Sequence, residues 1–182
     1  MKPLFTVHGG EQLVGEYIER EFKNVSLWLP TRDTGIDLLV TSRDNRRNVS
    51  LQVKFSKDFQ MSHIEAAMRT HALAYGWWTF DRRKLRESVA DYWVLVLLPF
   101  AHRDPHFIVT RPKDLAERYD KLARNQKAIQ TYLWITRSRR CIETRGLTKN
   151  TVRNYVEGTL DEPVRDFSRW LENWEPIQTL NS

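Results

Sequence analysis

In the first part of the chain, the apolar residues change from helical to alternating spacing. A helix is predicted over residues 10–24, where apolar residues recur three or four positions apart: Leu13, Val14, Tyr17, Ile18 and Phe22. A short strand is predicted next, over residues 25–29, and Pro30 ends it. A helix followed by strands is typical of a mixed α/β protein.

Residues 35–56, GIDLLVTSRDNRRNVSLQVKFS, predict two strands joined by a tight polar turn. The turn is the segment 42–48, where an Asp-Asn pair favours reversal of the chain. In the second strand, apolar residues alternate with Gln52 and Lys54. This alternation predicts a hairpin with one buried face.

The rest of the chain predicts further helices and strands. Helices are predicted at 61–75, 111–124, 148–157 and 160–173, and strands at 92–98, 107–110 and 128–136. This order predicts an α/β fold in which one mixed β-sheet is flanked by helices. We expect a single domain over residues 1–182, with a core at about 10–136 and a helical C-terminal extension at about 147–175.

Composition and charge suggest the setting and the class of partner. Lys and Arg number 29 against 23 Asp and Glu, and the net charge of +6 favours a polyanionic partner such as nucleic acid. The single Cys141 cannot form an internal disulfide, which favours a reducing compartment. The longest apolar run, residues 92–100, is about half of the ~20 residues that a membrane helix needs. With no signal-peptide core visible, we expect a soluble, cytoplasmic protein and no membrane partner.

Polar residues in the hairpin occupy positions that core residues would otherwise fill. Gln52 and Lys54 lie two residues apart and share a strand face, and Asp37 is an acid in an otherwise apolar strand. Antiparallel pairing of the two strands would gather the three side chains near one end of the sheet. Mg²⁺, or alternatively Mn²⁺, prefers oxygen ligands, which the Asp37 carboxylate, the Gln52 amide and the Val53 carbonyl would supply. Lys54 beside them would position or activate the attacking water, or neutralise charge on a phosphate.

This combination resembles the PD-(D/E)xK nuclease superfamily. The resemblance rests on a helix with an acid, the GID strand at residues 35–37 and QVK at residues 52–54, and it covers about residues 10–56. It is strongest to the branch in which glutamine replaces the second acid, as in Mrr-type restriction endonucleases and archaeal-type junction resolvases. The resemblance implies a restriction-endonuclease-like core and an endonuclease that hydrolyses DNA phosphodiester bonds with Mg²⁺, held by Asp37.

Two positions depart from the superfamily pattern. Ile36 stands where proline is usual, and Gln52 replaces an acid, so the metal would be held by fewer negative ligands. The resemblance implies that an acid of the first helix assists. Glu16 matches the Gly-Glu that opens this helix in similar proteins, and Glu19 is the alternative. The predicted catalytic set is therefore Glu16, Asp37, Gln52 and Lys54.

Basic residues cluster around this motif. The candidates for DNA contact are Arg43, Arg46 and Arg47 in the hairpin turn and Lys57 after QVK. Two further basic clusters lie at residues 82–86 and 137–140. Trp77 and Trp78, predicted to lie in a loop, would either pack in the core or stack on an unpaired base.

Other kinds of chemistry find little support in the sequence. The five histidines include no closely spaced ligand pair, and neither a GxSxG nucleophile motif nor a phosphate-binding P-loop is present. Two alternatives to the nuclease stay open: a nuclease-fold protein that binds DNA without cleaving it, and a protein-interaction module. Metal-dependent cleavage would separate the nuclease from both. Cutting of both DNA strands would favour a homodimer.

Overall fold

The computed structural model of the chain describes residues 8–32, 34–57, 71–99 and 104–181. Its helices are α1 (Gly9–Glu21), α2 (Arg82–Arg86), α3 (Pro112–Lys121), α4 (Lys149–Val156) and α5 (Glu175–Asn181), with a 3-10 turn at Ser168–Trp170. Its strands are β1 (Val25–Trp28), β2 (Leu38–Ser42), β3 (Asn48–Lys57), β4 (Ala72–Asp81), β5 (Tyr92–Leu98), β6 (His106–Thr110), β7 (Ala128–Thr136) and β8 (Cys141–Glu143). No helix in these ranges is long and apolar enough to cross a membrane.

Five strands form a mixed sheet in the order β1-β2-β3-β5-β6, flanked by helices as predicted. Neighbouring strands run antiparallel, except that β3 and β5 are parallel. The hairpin is antiparallel, with Leu38 opposite Leu51. Because β3 has 10 residues and β2 only 5, the second half of β3 extends past the start of β2.

The prediction of one sheet is wrong, because β4, β7 and β8 form a separate antiparallel sheet. Its edge strand β4 includes residues 72–75, which are predicted to be helical; residues 61–70 of that predicted helix lie outside the described residues. Burial explains the difference. Ala74, Trp78 and Phe80 are buried at alternate positions of β4, which is the periodicity of a strand and not of a helix.

The two sheets and the helices pack as layers. The second sheet covers part of one face of the mixed sheet, where Phe80 of β4 meets the Trp93 ring of β5 at a centroid distance of 5.4 Å. Helices α1 and α5 cover the opposite face, with Val14 and Ile177 in the same apolar cluster. Helix α4 packs Val152 against Trp134 on the other face of the second sheet. The mixed sheet therefore has one face under helices and the other partly under a sheet.

The helix predicted over residues 160–173 is absent from the described structure, which has only the 3-10 turn there. Arg118 Nη1 donates to the carbonyl oxygens of Pro163 and Asp166, each at 2.6 Å. A side chain thus satisfies carbonyls that a helix would pair with its own amides. The last helix, α5, lies further along and packs Ile177 and Leu180 into the cluster with α1.

Glu143 of β8 is a fully buried carboxylate, with 0% of its side chain exposed. Its Oε2 accepts hydrogen bonds from Arg124 at 2.7 Å and from Arg165 at 2.9 Å, and its Oε1 accepts one from Thr131 at 3.2 Å. Burial raises the pKa of the Glu143 carboxyl, and the two arginines oppose that rise. This network ties the second sheet to the segment that carries Arg165.

Replacing Glu143 with Ala should destabilise the protein by about 3–5 kcal/mol, because it leaves the buried Arg124 without its carboxylate. Urea unfolding monitored by tryptophan fluorescence measures the loss. The matched control is Glu162→Ala, which removes an exposed carboxylate 3.3 Å from Arg165 and should cost no more than about 1 kcal/mol. Equal losses in the two variants would show that the buried network is not a special source of stability.

Candidate functional site

A cleft of about 800 Å³ opens between the mixed sheet, the start of α1 and the edge of the second sheet. The residues that define it come from all three parts of the structure: Gly10, Glu11, Asp37, Gln52, Lys54, Trp78, Lys84 and Ser88 among others. Three of the four predicted catalytic residues, Asp37, Gln52 and Lys54, therefore line one cavity. Their predicted convergence is found in the structure.

Asp37 lies immediately before β2 and is bound to β3. Its backbone amide donates to the Leu51 carbonyl at 2.8 Å, and the Val53 amide donates to its Oδ2, also at 2.8 Å. The carboxylate therefore occupies the position beside β3 where β2 would otherwise continue. Because the N–H and C=O of a strand residue point to the same side, the Val53 carbonyl faces that side too.

Gln52 and Lys54 point to the face of the mixed sheet that the second sheet partly covers. Lys54 Nζ lies 5.2 Å from the centroid of the Trp93 ring, a cation–π contact. The indole of Trp78 donates to the Lys54 carbonyl at 3.1 Å. Both contacts hold Lys54 in the cleft beside Gln52 while its side chain stays partly exposed.

The acid that α1 contributes to the cleft is Glu11, not Glu16. Glu11 lies in the first turn, is only 6% exposed, and accepts a hydrogen bond from the His8 amide at 3.3 Å. Glu16 and Glu19 are exposed, and the Glu16 carboxylate accepts a hydrogen bond from Gln12 at 2.8 Å. Among the described residues of α1, those that line the cleft are Gly9, Gly10 and Glu11, and Glu16 is not part of this lining.

A close contact at Gly10 sets the position of this turn. A Cβ built on Gly10 would lie 2.7 Å from Phe55 Cβ, closer than such atoms approach in proteins. Glycine at this position thus lets the backbone of α1 lie directly against β3. Glu11, the next residue, is held at the cleft as a consequence.

The donor set of the cleft suits a hard cation with few charged ligands. In the described ranges, no group of three or more His, Cys, Asp or Glu side chains is placed to hold a metal ion. The cleft is lined by three carboxylates, Asp37, Glu11 and Glu87, together with the Gln52 amide and the Val53 carbonyl, and Glu87 lies 3.9 Å from the Arg83 guanidinium. These are oxygen donors, the type that Mg²⁺ and Mn²⁺ accept, and they leave room for water ligands.

The wall opposite β3 was not predicted from the sequence. It is formed by the edge of β4 and by residues in and after α2, including Thr79, Lys84 and Ser88. Ser88 Oγ accepts a hydrogen bond from the Trp93 indole at 2.8 Å, which fixes this wall against the mixed sheet. The sequence contains a signal for Glu11, because Gly10 and Glu11 form a Gly-Glu pair like the one at residues 15–16. No comparable sequence pattern marks the residues of the wall opposite β3.

The predicted DNA-contact residues differ in their surroundings. Arg43 and Arg46 are exposed in the hairpin turn, and Arg46 lies 3.8 Å from the Asp44 carboxylate. Arg47 instead donates to the Thr179 carbonyl of α5 at 2.7 Å. The side chain of Lys57 lies outside the described residues.

Much of the two other basic clusters is engaged in ion pairs. Arg82 and Arg86 both contact Asp120 of α3, and Arg140 bonds Asp161 at 2.8 Å. These side chains bind acidic groups of the same chain. The hairpin turn is therefore the basic segment with the most exposed arginines near the mixed sheet.

The prediction that Trp77 and Trp78 lie in a loop is wrong, since both belong to β4. Trp78 is buried between the sheets, and Trp77 is 48% exposed on the opposite face of β4. Of the histidines, His8 lines the cleft and His106 lies 3.4 Å from Glu172, whereas His63 and His102 are outside the described residues.

No protein-family model matches the chain, and searches of curated proteins and of solved structures give no significant match either. The chemistry of the cleft therefore has to be argued from its own residues.

Gly10→Ala should destabilise the protein by roughly 1–3 kcal/mol, because the added Cβ cannot fit against Phe55 without a shift of α1. The neighbouring Gly9 is the control, because a Cβ there meets nothing within 4 Å. Gly9→Ala should change stability by no more than about 1 kcal/mol. Urea unfolding of the two variants compares them, and equal stabilities would contradict the close packing of α1 on β3.

Proposed function

We propose that the protein is a Mg²⁺- or Mn²⁺-dependent endonuclease that hydrolyses DNA phosphodiester bonds, with a restriction-endonuclease-like core of the PD-(D/E)xK type. The observation that carries the proposal is the meeting of Asp37, Gln52 and Lys54 in one cleft. The mixed sheet flanked by helices is compatible with such a core. The net charge of +6 and the exposed Arg43 and Arg46 suit a DNA partner.

In this proposal Asp37, Gln52 and the Val53 carbonyl hold the cation, and Glu11 takes the place predicted for Glu16. When bound, the ion supplies positive charge that polarises a phosphodiester oxygen. Asp37 is oriented for this role by the hydrogen bond from the Val53 amide. The buried Glu11 adds the second negative charge that Gln52 lacks, since an amide oxygen carries none.

Lys54 contributes charge on the same side of the cleft. Its ammonium is held over the Trp93 ring, and Trp78 binds its carbonyl, so the side chain is positioned before any substrate arrives. A cation fixed in this way stabilises the negative charge that develops on a phosphate during hydrolysis, or positions the attacking water.

Lys54→Met should lower the rate of DNA cleavage on the order of 100-fold or more, because only the ammonium is removed and the aliphatic stem stays. Asp37→Asn should also lose cleavage, but raised Mg²⁺ or Mn²⁺ should partly restore it, because its defect lies in holding the cation. Metal titrations in a cleavage assay on mixed DNA substrates measure both effects.

The matched control is Lys84→Met, which removes an exposed cleft lysine from α2 and should reduce the cleavage rate by less than about tenfold. Full activity in Lys54→Met would exclude the role given to that ammonium. Rescue of Lys54→Met by metal would place its defect in cation binding instead.

The choice of helix acid can be tested within α1. Glu11→Gln should lower cleavage or metal affinity on the order of 10-fold or more, while the amide can still accept the hydrogen bond from His8. Glu16→Gln should leave both unchanged, because Glu16 is exposed outside the cleft. The measurement is the metal concentration that gives half-maximal cleavage. A larger effect of Glu16→Gln than of Glu11→Gln would show that Glu16 is the assisting helix acid.

Gln52 favours one second candidate function, a nuclease-fold protein that binds DNA without cleaving it. A neutral amide in place of an acid weakens attraction for a divalent cation, and the cleft would then serve only to contact the DNA backbone. A purified protein that binds DNA but stays inert with Mg²⁺ and Mn²⁺ on paired, branched and single-stranded substrates would support this candidate over the endonuclease.

A further inference from the structure

Trp28 is an exposed aromatic residue on the same sheet face as the candidate catalytic residues. It lies at the end of β1 with 53% of its surface exposed. It pairs with Leu39, which in turn pairs with Ser50, so the side chains of all three share one face. Ser50 is two residues from Gln52 on β3, and alternate residues share a face.

The position of Trp28 relative to the cleft follows from sheet geometry. Two strand spacings, about 10 Å, separate β1 from β3, and Ser50 lies two residues, about 7 Å, along the strand from Gln52. Trp28 is therefore beside the cleft and not inside it. A chain bound across Gln52 and Lys54 would run over the indole if it continued along this face.

The indole of Trp28 is held in place by the hairpin. Its Nε1 donates to Thr41 Oγ1 at 3.1 Å, and the Thr41 hydroxyl donates to Asn45 Oδ1 at 2.7 Å. The one polar atom of the ring is thus already bonded, so the ring itself offers a partner only apolar surface. An aromatic face fixed in this way stacks a partner ring with little further loss of side-chain entropy.

The charges around Trp28 point to a nucleic-acid strand as the occupant. The turn that contains Asn45 also carries the exposed Arg43 and Arg46, and Lys54 lies on the other side toward the cleft. An aromatic face between basic groups suits a base flanked by phosphates. A base inside a duplex has both faces covered by its neighbours, so within a bound strand a free face for Trp28 comes from an unpaired or unstacked base.

We propose that Trp28 stacks on an unpaired base of the DNA strand bound in the cleft, so that the substrate is DNA with a single-stranded or unstacked segment. The inference rests on the proposed function for the location of the bound strand. It adds a substrate class and a specificity-determining residue that the cleft alone does not give.

The test measures binding in EDTA, where cleavage does not interfere. Fluorescence anisotropy gives the affinity for a labelled single strand and for a blunt duplex of that strand with its full complement. Trp28→Ala should weaken binding of the single strand on the order of 10-fold or more, the range for loss of one base stack. Affinity for the blunt duplex should change by less than about twofold.

Two variants serve as controls. Trp28→Phe keeps an aromatic face and should retain most of the affinity for the single strand, even though it loses the bond to Thr41. Trp77→Ala removes a tryptophan of similar exposure, 48%, from the face of β4 that points away from the mixed sheet. This variant should bind DNA like the parent protein. Circular dichroism and thermal unfolding check that Trp28→Ala keeps the fold.

A base-deletion scan tests stacking directly. The scan uses a set of single strands, each lacking the base of one nucleotide. At one position, removal of the base should weaken binding by the parent protein but should not weaken binding by Trp28→Ala any further. Such a position would support the inference even if no metal gives cleavage, in which case only the endonuclease proposal fails. Additive losses at every position would overturn it. So would equal effects of Trp28→Ala on single strand and duplex, or a parent that binds no nucleic acid.

Discussion

The hydrogen bond from the Val53 amide to the Asp37 carboxylate is the interaction on which the site depends. Strand β2 begins at Leu38, whereas β3 continues to Lys57, so the second half of β3 has no β2 residue beside it. Asp37 fills the first position of that gap and satisfies a backbone donor that a strand would otherwise bind. The same gap leaves space for a cleft at the end of the hairpin, where Gln52 and Lys54 are accessible instead of covered.

The surrounding layers form the walls of the open cleft at this gap. Helix α1 brings Glu11 to one side because Gly10 allows its backbone to approach Phe55. The second sheet brings the other wall, and the Trp78 and Trp93 rings hold Lys54 between the two sheets. Partial exclusion of water strengthens the electrostatic interactions in such a site, because the effective dielectric constant is lower than in bulk water. The fold therefore provides the charged side chains of the cleft, fixes their positions and lowers the dielectric constant around them.

Glutamine at position 52 changes the electrostatics of the cleft in a definite way. An acid there would add a negative charge next to Asp37 and would attract the Lys54 ammonium into an ion pair. With an amide, Lys54 lies over the Trp93 ring, and the other carboxylates that line the cleft, Glu11 and Glu87, come from other parts of the chain. In the proposed site, cation binding would depend on the position of α1, because Gly10 sets where Glu11 lies.

The sequence by itself determined the hairpin and the approach of its polar residues. Alternation along a strand has a fixed period of two, so Gln52 and Lys54 had to share a face, and the short turn brought Asp37 beside β3. Tertiary structure alone decided which helix acid lines the cleft. Glu11 and Glu16 are both acids of α1, and only the packing of the helix distinguishes its first turn from its middle. It also decided that β4 joins a second sheet, that Trp78 is buried, and that Trp28 is exposed beside the cleft. Those outcomes depend on contacts between residues far apart in the chain, which local periodicity does not encode.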